Sequence, residues 1–176
     1  MSSTKKWRIE QGHSQIQFKV KHLSITNVNG IFKTFDGTVT TQNNEFDNAE
    51  VKVSIAADSI DTQLPERDKH LMSPYLFDTE NYPLITFEGI FRKNGENYIL
   101  DGHLTLRDVT KPISLEAQFT GVAKGFAGDE RAGFEINGKI SRKDFDLTWN
   151  IAANSGGLVI GDEIKLHFDI QLVEND

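Results

Sequence analysis

Residues 84–107 read Leu84-Ile-Thr-Phe-Glu-Gly-Ile-Phe-Arg-Lys-Asn-Gly-Glu-Asn-Tyr-Ile-Leu-Asp-Gly-His-Leu-Thr-Leu-Arg107. Two alternating runs flank Asn94-Gly95. In the first, Ile85, Phe87, Gly89 and Phe91 share a face. In the second, Tyr98, Leu100, Gly102, Leu104 and Leu106 oppose Asp101, His103, Thr105 and Arg107. A period of two sends successive side chains to opposite faces of a strand. Asn-Gly accepts the positive φ of a tight reversal. The stretch therefore predicts an antiparallel hairpin with one apolar face. Extended from Asn97 to Asp108, the second run reaches roughly 40 Å, or about 30 Å of barrel height at a tilt near 40°.

The same alternation recurs on both sides. Ile16, Phe18, Val20 and His22 share one parity over 15–22, and Val51, Val53, Ile55 and Ala57 share one over 49–57. Ile113, Leu115, Ala117, Phe119 and Gly121 form the next inner set, then Ala132, Phe134, Ile136, Gly138 and Ile140. Ile164, Leu166, Phe168, Ile170 and Leu172 form the last. A weaker strand over 31–41 (Ile31, Phe35, Gly37, Val39) makes eight. Trp7 to Gln11 extends the first or second strand, and 145–153 suggests one more. Asn29-Gly30 and Gly161-Asp162 read as further reversals. Pro65-Glu-Arg-Asp-Lys-His-Leu71-Met72 predicts a short helix, with Pro and acids in its first turn and Ser73-Pro74 to stop it. The segment 23–28 reads equally as a second short helix or an irregular turn.

Eight antiparallel strands with one apolar face each must close into a barrel or split into a sandwich. The strand lengths point to an elongated barrel, one all-β domain over residues 1–176. Its inner face mixes Phe18, Phe87, Phe91, Phe119, Phe134 and Phe168 with Ala57, Gly89, Gly102, Ala117, Gly121, Ala132 and Gly138. Small residues beside rigid rings imply a tunnel that holds one apolar ligand. The competing reading is a filled core whose glycines only permit bends and close backbone approach. On the tunnel reading, Phe18, His22, Phe35, Phe87, Phe91, Leu104, Phe119, Phe134 and Phe168 are the candidate ligand contacts.

Composition narrows the function classes. Of the 176 residues, 38% are hydrophobic and 26% charged, an ordinary water-soluble balance. Lys+Arg 19 against Asp+Glu 26 gives a net charge of −7, which argues against a nucleic-acid binder and disfavours an anionic membrane surface. There is no cysteine, hence no disulfide, thiolate nucleophile or cysteine-held metal. Twelve phenylalanines against three tyrosines and two tryptophans suggest a greasy interior. No apolar run approaches the roughly 18 residues of a membrane span, so stable membrane insertion is not expected. Met1 to Trp7 lacks the apolar run of a secretory signal. That predicts a cytoplasmic protein, or a periplasmic or secreted one if the chain is already processed.

Several motifs match a known family. Gly12-His13-Ser14-x-Ile16-x-Phe18-x-Val20-Lys21-His22, Gly30-Ile-Phe32-x-x-Phe35-x-Gly37 and Ser59-Ile-Asp61-Thr62 resemble the YceI-like, polyisoprenoid-binding family. Arg67-Asp68-x-His70-Leu71, Phe77-Asp78 and Tyr82-Pro83-x-Ile85-x-Phe87 are especially close. Gly102-x-Leu104-Thr105-Leu106-Arg107-Asp108-Val109-Thr110-Lys111-Pro112, Ala132-Gly133-Phe134 and Ser141-Arg142-x-Asp144-Phe145 complete a match from about residue 7 to 173. Asp146 departs from the Gly common at its position. The resemblance implies a lipocalin-like eight-stranded antiparallel β-barrel with one or two short helices. Its lumen would hold a long-chain lipid: a polyisoprenoid, an isoprenoid quinone or a fatty-acid derivative. It also implies a homodimer, no cofactor and no catalytic activity common to the family.

Polar candidates are few. His13, His22, His70, His103 and His167 show no metal-ligand spacing, so no metal site is expected. Gly133 to Lys139 mimics a phosphate loop but alternates as a strand, with Ile140 where Ser or Thr is required. No GxSxG elbow is present, and adjacent His13 and Ser14 point to opposite faces of a strand. No catalytic residue is assigned. His22 reads as a satisfied interior histidine or a donor to a head group. Arg67 and His70 on the short helix, and Arg142 beyond the Phe134 strand, are head-group candidates. The alternatives are that Arg67 and Asp68 pair with loops to fix a lid, and that Arg142 pairs with Asp144 to pin a strand end. An apolar-ligand carrier is the expected function. An enzyme acting on a bound lipid, or a filled-barrel interaction module, is the alternative.

Overall fold

The computed structural model describes residues 3–43, 45–149 and 160–175. Eleven strand segments and one α-helix lie among them. In chain order they are β1 (Thr4–Ile9), β2 (Gln15–His22), β3 (Thr26–Phe32), β4 (Phe35–Gln42), β5 (Glu45–Ala56), β6 (Ile60–Asp61), α1 (Pro65–Leu71), β7 (Leu84–Asn94), β8 (Asn97–Leu106), β9 (Val109–Lys124), β10 (Glu130–Ser141) and β11 (Ile160–Asn175). Every pairing is antiparallel.

The eleven segments make eight staves. β1 and β2 lie end to end along β11, Ile9 opposite Leu172 and Gln15 opposite Asp169. β4 and β3 follow them on the other side, and β5 and β6 follow those. β7 to β11 complete a meander whose last strand returns to the first, closing the sheet. Closure removes the exposed edges that an open sheet would present.

Three staves are kinked because each carries a residue pair or short turn that cannot stay in the ladder, the β5–β6 stave at the 3-10 turn Ala57–Ser59. The first bends at a 3-10 turn, Gln11–His13. Across that break the Glu10 and Ser14 groups bond to one residue of β11. Glu10 N donates to Gln171 O at 2.8 Å, and Gln171 N donates to Ser14 Oγ at 2.9 Å. The second breaks at Lys33-Thr34, so Phe32 and Phe35 both turn inward while Ile31 faces outward opposite Gln17. The expected single strand over 31–41 is therefore two, with the parity reset between them.

Other local expectations change for the same reason. Asn29-Gly30 lies inside β3, not at a reversal, and Gly161-Asp162 lies at the bulged start of β11. The segment 23–28 is a hairpin tip: Leu23 and Ser24 take positive φ, and β3 begins at Thr26. Residues 142–145 form a 3-10 turn instead of a strand, 146–149 form no strand, and 150–153 lie outside the described residues. The Asn94-Gly95 hairpin forms with Asn94 opposite Asn97 and Gly95 at φ 67°. Helix α1 ends at Leu71, one residue short of the expected Met72.

The two ends of the barrel differ. At one, Phe46 of β5 projects into the axis and meets Phe134 at 5.1 Å, Trp7 at 5.4 Å and Phe119 at 5.8 Å between ring centroids. Phe91 stacks on Phe134 at 4.8 Å. Such ring pairs add about 0.5–1.5 kcal/mol each beyond their burial. Trp7 Nε1 donates to Thr41 Oγ1 at 3.3 Å, leaving no unmet donor in the plug. At the other end α1 and residues 72–83 fold over the mouth as a lid. Backbone N–H groups of Phe77, Thr79 and Tyr82 bond to the carbonyls of Leu71, Met72 and Asp78.

Phe134 is 2% exposed at the centre of the plug, whereas Phe126 on the β9–β10 turn is fully exposed. Phe134→Ala is expected to cost about 3–5 kcal/mol. Phe126→Ala should stay within about 0.5 kcal/mol of the parent. Guanidinium unfolding midpoints check both.

Candidate functional site

Between plug and lid lies a cavity of about 180 Å³. Among its described lining residues only Gln17, Thr38 and Arg142 are polar, and Gln17 and Thr38 sit at outward positions of β2 and β4. The wall comes from inward positions of the staves, and the ceiling from Leu71, Leu76 and Phe77 of the lid and Leu147 after the 3-10 turn.

The glycines act differently from simple vacancies. A Cβ on Gly30 would sit 2.2 Å from Cζ of Phe18, and one on Gly102 would sit 2.5 Å from Cζ of Phe87. The far end of each ring lies over the glycine of its neighbouring strand. Gly102 faces Gly89 in register, so Phe87 covers a bare pair. A ring laid along the wall leaves the axis free. With a side chain at the glycine, the ring would have to point across the lumen.

Six of the expected ligand contacts line the cavity: Phe18, Phe87, Phe91, Leu104, Phe134 and Phe168. Phe35 is buried but lies outside that lining. Phe119 is also absent from it and packs in the plug against Phe46, Tyr98 and Phe134. His22 keeps its expected strand but is exposed at the end of β2, where the hairpin tip leaves nothing to bury it. It borders a polar groove along β2, β3 and β11, and Arg67 borders the same groove.

Arg67 holds the loop beneath α1. Its Nε donates to Thr62 Oγ1 at 2.7 Å and its terminal nitrogen to Thr62 O at 2.6 Å. Asp68 accepts from Thr62 N at 2.9 Å and from Thr62 Oγ1 at 2.5 Å. The two charges meet on one threonine, whose short side chain docks the helix to β6.

Arg142 is 5% exposed and donates to the carbonyls of Leu147, Trp149, Ile160 and Gly161 at 2.7–3.3 Å. Its carboxylate partner is Asp162 at 3.7 Å, not Asp144. A 3-10 turn repeats every three residues, so Arg142 and Phe145 turn inward together while Asp144 is exposed. Burial pushes the guanidinium pKa down, and Asp162 opposes that shift. Four carbonyls engage the fork, so Arg142 ties the start of β11 to the segment after the turn.

His70 and Arg107 are different. His70 packs its ring on Trp149 at 4.3 Å, and its buried Nε2 has no hydrogen-bond partner. Arg107 at the β8–β9 turn has φ 55°, and its guanidinium lies 5.6 Å from the Tyr82 ring centre with a buried, unpartnered Nε. Alternation places Arg107 among outward residues, but its positive φ breaks that parity. The lid residues Leu76 and Phe77 and the ceiling residue Leu147 also escape sequence reading, since no strand period runs through them.

Among the described residues no group of three or more His, Asp or Glu side chains could hold a metal ion. His13 Nδ1 bonds to Glu10 at 2.6 Å while Ser14 bonds to Gln171, so the two adjacent residues serve separate partners. Gly133 to Lys139 lies within strand β10. Arg142→Met is expected to cost on the order of 3 kcal/mol, because buried carbonyls lose their donor. Asp144→Asn should stay within about 0.5 kcal/mol. Thermal and urea unfolding of the two variants check the difference.

A model of the YceI-like domain matches residues 7–172. The UPF0312 protein of Photorhabdus laumondii is 42% identical over 144 residues, covering 81% of this chain and 75% of that protein. The UPF0312 protein of Yersinia pestis (strain Pestoides F) is 40% identical over 147 residues, covering 83% and 77%. The YceI protein of Campylobacter jejuni superposes with a TM-score of 0.73 at 34% identity, over 90% of this chain and 91% of that one. A polyisoprenoid binding domain from Saccharophagus degradans superposes at 0.75 over 96% and 98%, and at 17% identity it shows the shared fold. With the closed eight-stave barrel, its lid and these matches in agreement, the chain belongs to the YceI-like family.

Proposed function

We propose that this protein binds a long-chain apolar ligand inside the barrel and carries it through water, without chemistry on the ligand. The supporting observation is the cavity wall, apolar except for Gln17, Thr38 and Arg142 and capped by an apolar lid. The Saccharophagus degradans domain of the same fold, described as polyisoprenoid binding, suggests the ligand class. A polyprenyl phosphate, an isoprenoid quinone or a fatty-acid derivative fits that class.

The free cavity is slender. Its 180 Å³ is close to the ~150 Å³ of an engineered cavity that takes up benzene. A long chain therefore needs the half-buried rings of Phe77 and Phe168 to turn aside. The energy is available: at about 0.8 kcal/mol per CH₂, roughly ten to fifteen buried carbons contribute on the order of 8–12 kcal/mol before ordering costs. Micromolar affinity follows from about 8 kcal/mol net. A narrow, ring-lined lumen favours thin unbranched or methyl-branched chains over wide ligands.

Detergent-free purification followed by native mass spectrometry and lipid extraction tests the reading, and the same spectrum reads monomer against homodimer. One long-chain lipid per barrel is the expected result. Gly30→Ala, which forces the Phe18 ring off the wall, should weaken binding of a prenyl probe about tenfold. The carrier reading fails if no lipid is extracted and added isoprenoids and fatty acids also leave the protein unbound.

A further inference from the structure

We infer that the ligand lies with its tail against the aromatic plug and an oxygen head group under the lid, recognised by His70 and Arg107. The inference rests on the lumen-binding reading and adds the ligand's direction and the chemistry of its head.

Among the described residues, two buried side-chain polar atoms lack a hydrogen-bond partner: His70 Nε2 and Arg107 Nε. Buried polar groups are nearly always paired, and leaving one unmet costs about 1–3 kcal/mol. Both orphans belong to the lid end of the barrel. His70 lies on α1, and Arg107 follows β8 where that strand reaches the same end. The lid joins them, because Tyr82, over which Arg107 lies, closes the segment that begins just after His70. Neither orphan lines the cavity itself; the residues next to each in the chain, Leu71 and Leu106, do.

At the opposite end the rings fill the axis, and Trp7 already donates to Thr41. The other two cations considered for a head group are committed, Arg67 to Thr62 and Arg142 to four carbonyls. Arginine donates and never accepts, so the group it meets must be an acceptor oxygen. A phosphate oxygen and a quinone carbonyl both qualify. The imidazole Nε2 serves as donor to a head-group oxygen, or as acceptor from a phosphate hydroxyl. The Tyr82 ring, 5.6 Å from the guanidinium carbon, helps hold Arg107 in place.

Three probes with one geranylgeranyl chain separate the outcomes: the monophosphate, a benzoquinone bearing the chain, and the oxygen-free hydrocarbon. The wild-type protein should bind at least one oxygen-headed probe about tenfold more tightly than the hydrocarbon. His70→Phe and Arg107→Met should remove that preference and leave hydrocarbon affinity unchanged, which also reports an intact barrel. Loss confined to the monophosphate assigns a phosphate head, and loss for both oxygen-headed probes assigns a shared acceptor site. Equal affinity for all three probes in the wild type overturns the head-group role while keeping the lumen reading. So does a variant that weakens the hydrocarbon as much as the others. If the wild type binds none of the three, the lumen reading itself fails.

Discussion

The seam between β1 and β11 joins Lys6–Ile9 to Leu172–Asn175, and the rest of the barrel depends on it. Eight staves of alternating sequence offer one apolar face each, and that face is buried only when the sheet closes. Lys5 reinforces the seam from outside: its ammonium lies 4.5 Å from the Trp7 ring centre and bonds to Glu130 at 2.7 Å and Glu174 at 3.3 Å. Exposed pairs of this kind contribute little alone. Here they cover the tryptophan that begins the aromatic plug. Closure, plug and seam are thus one structure, built from the first and last strands of the chain.

Once the sheet is closed, the cavity is a matter of where rings lie. Phe18 and Phe87 lie over Gly30 and the Gly89–Gly102 pair, whereas Phe46, Phe91 and Phe134 point into the axis and fill it. The same residue type makes wall in one half and plug in the other. The difference is whether the neighbouring strand supplies a glycine at the matching register. A tube closed at one end, with its polar groups at the other, gives an amphiphile a direction. In a carrier the tail then enters first and the head stays beneath the lid.

The lid converts a polar stretch of sequence into a largely structural device. Arg67, Asp68 and Thr62 bind one another, Asp78 is held by its own turn, and Leu71, Leu76 and Phe77 face the lumen. Charges that read as ligand groups in one dimension are consumed in docking the helix. Arg142 illustrates the same economy, with four carbonyls on one guanidinium. Among the described residues, the two buried side-chain nitrogens left without a hydrogen bond, His70 Nε2 and Arg107 Nε, stand out against that background.

Alternation and turn dipeptides determined the all-β class, most of the inward sets of the long strands and the Asn94-Gly95 hairpin, and Pro65 with first-turn acids marked the short helix, because these are local properties. Six of the nine lumen candidates were legible from alternation for the same reason. Tertiary structure decided the rest. Phe35 and Phe119 share inward parity with the lining residues, but Phe119 packs into the plug and Phe35 is buried outside the lining, which only the long-range packing sets. Asn29-Gly30 looks like a turn and serves as the bed for Phe18, since a glycine's role is set by what packs on it. Ile31 and Arg107 lie outside the simple period because a kink and a positive φ reset parity. Which cations stay free depends on which carbonyls approach them, and those come from residues distant in the chain.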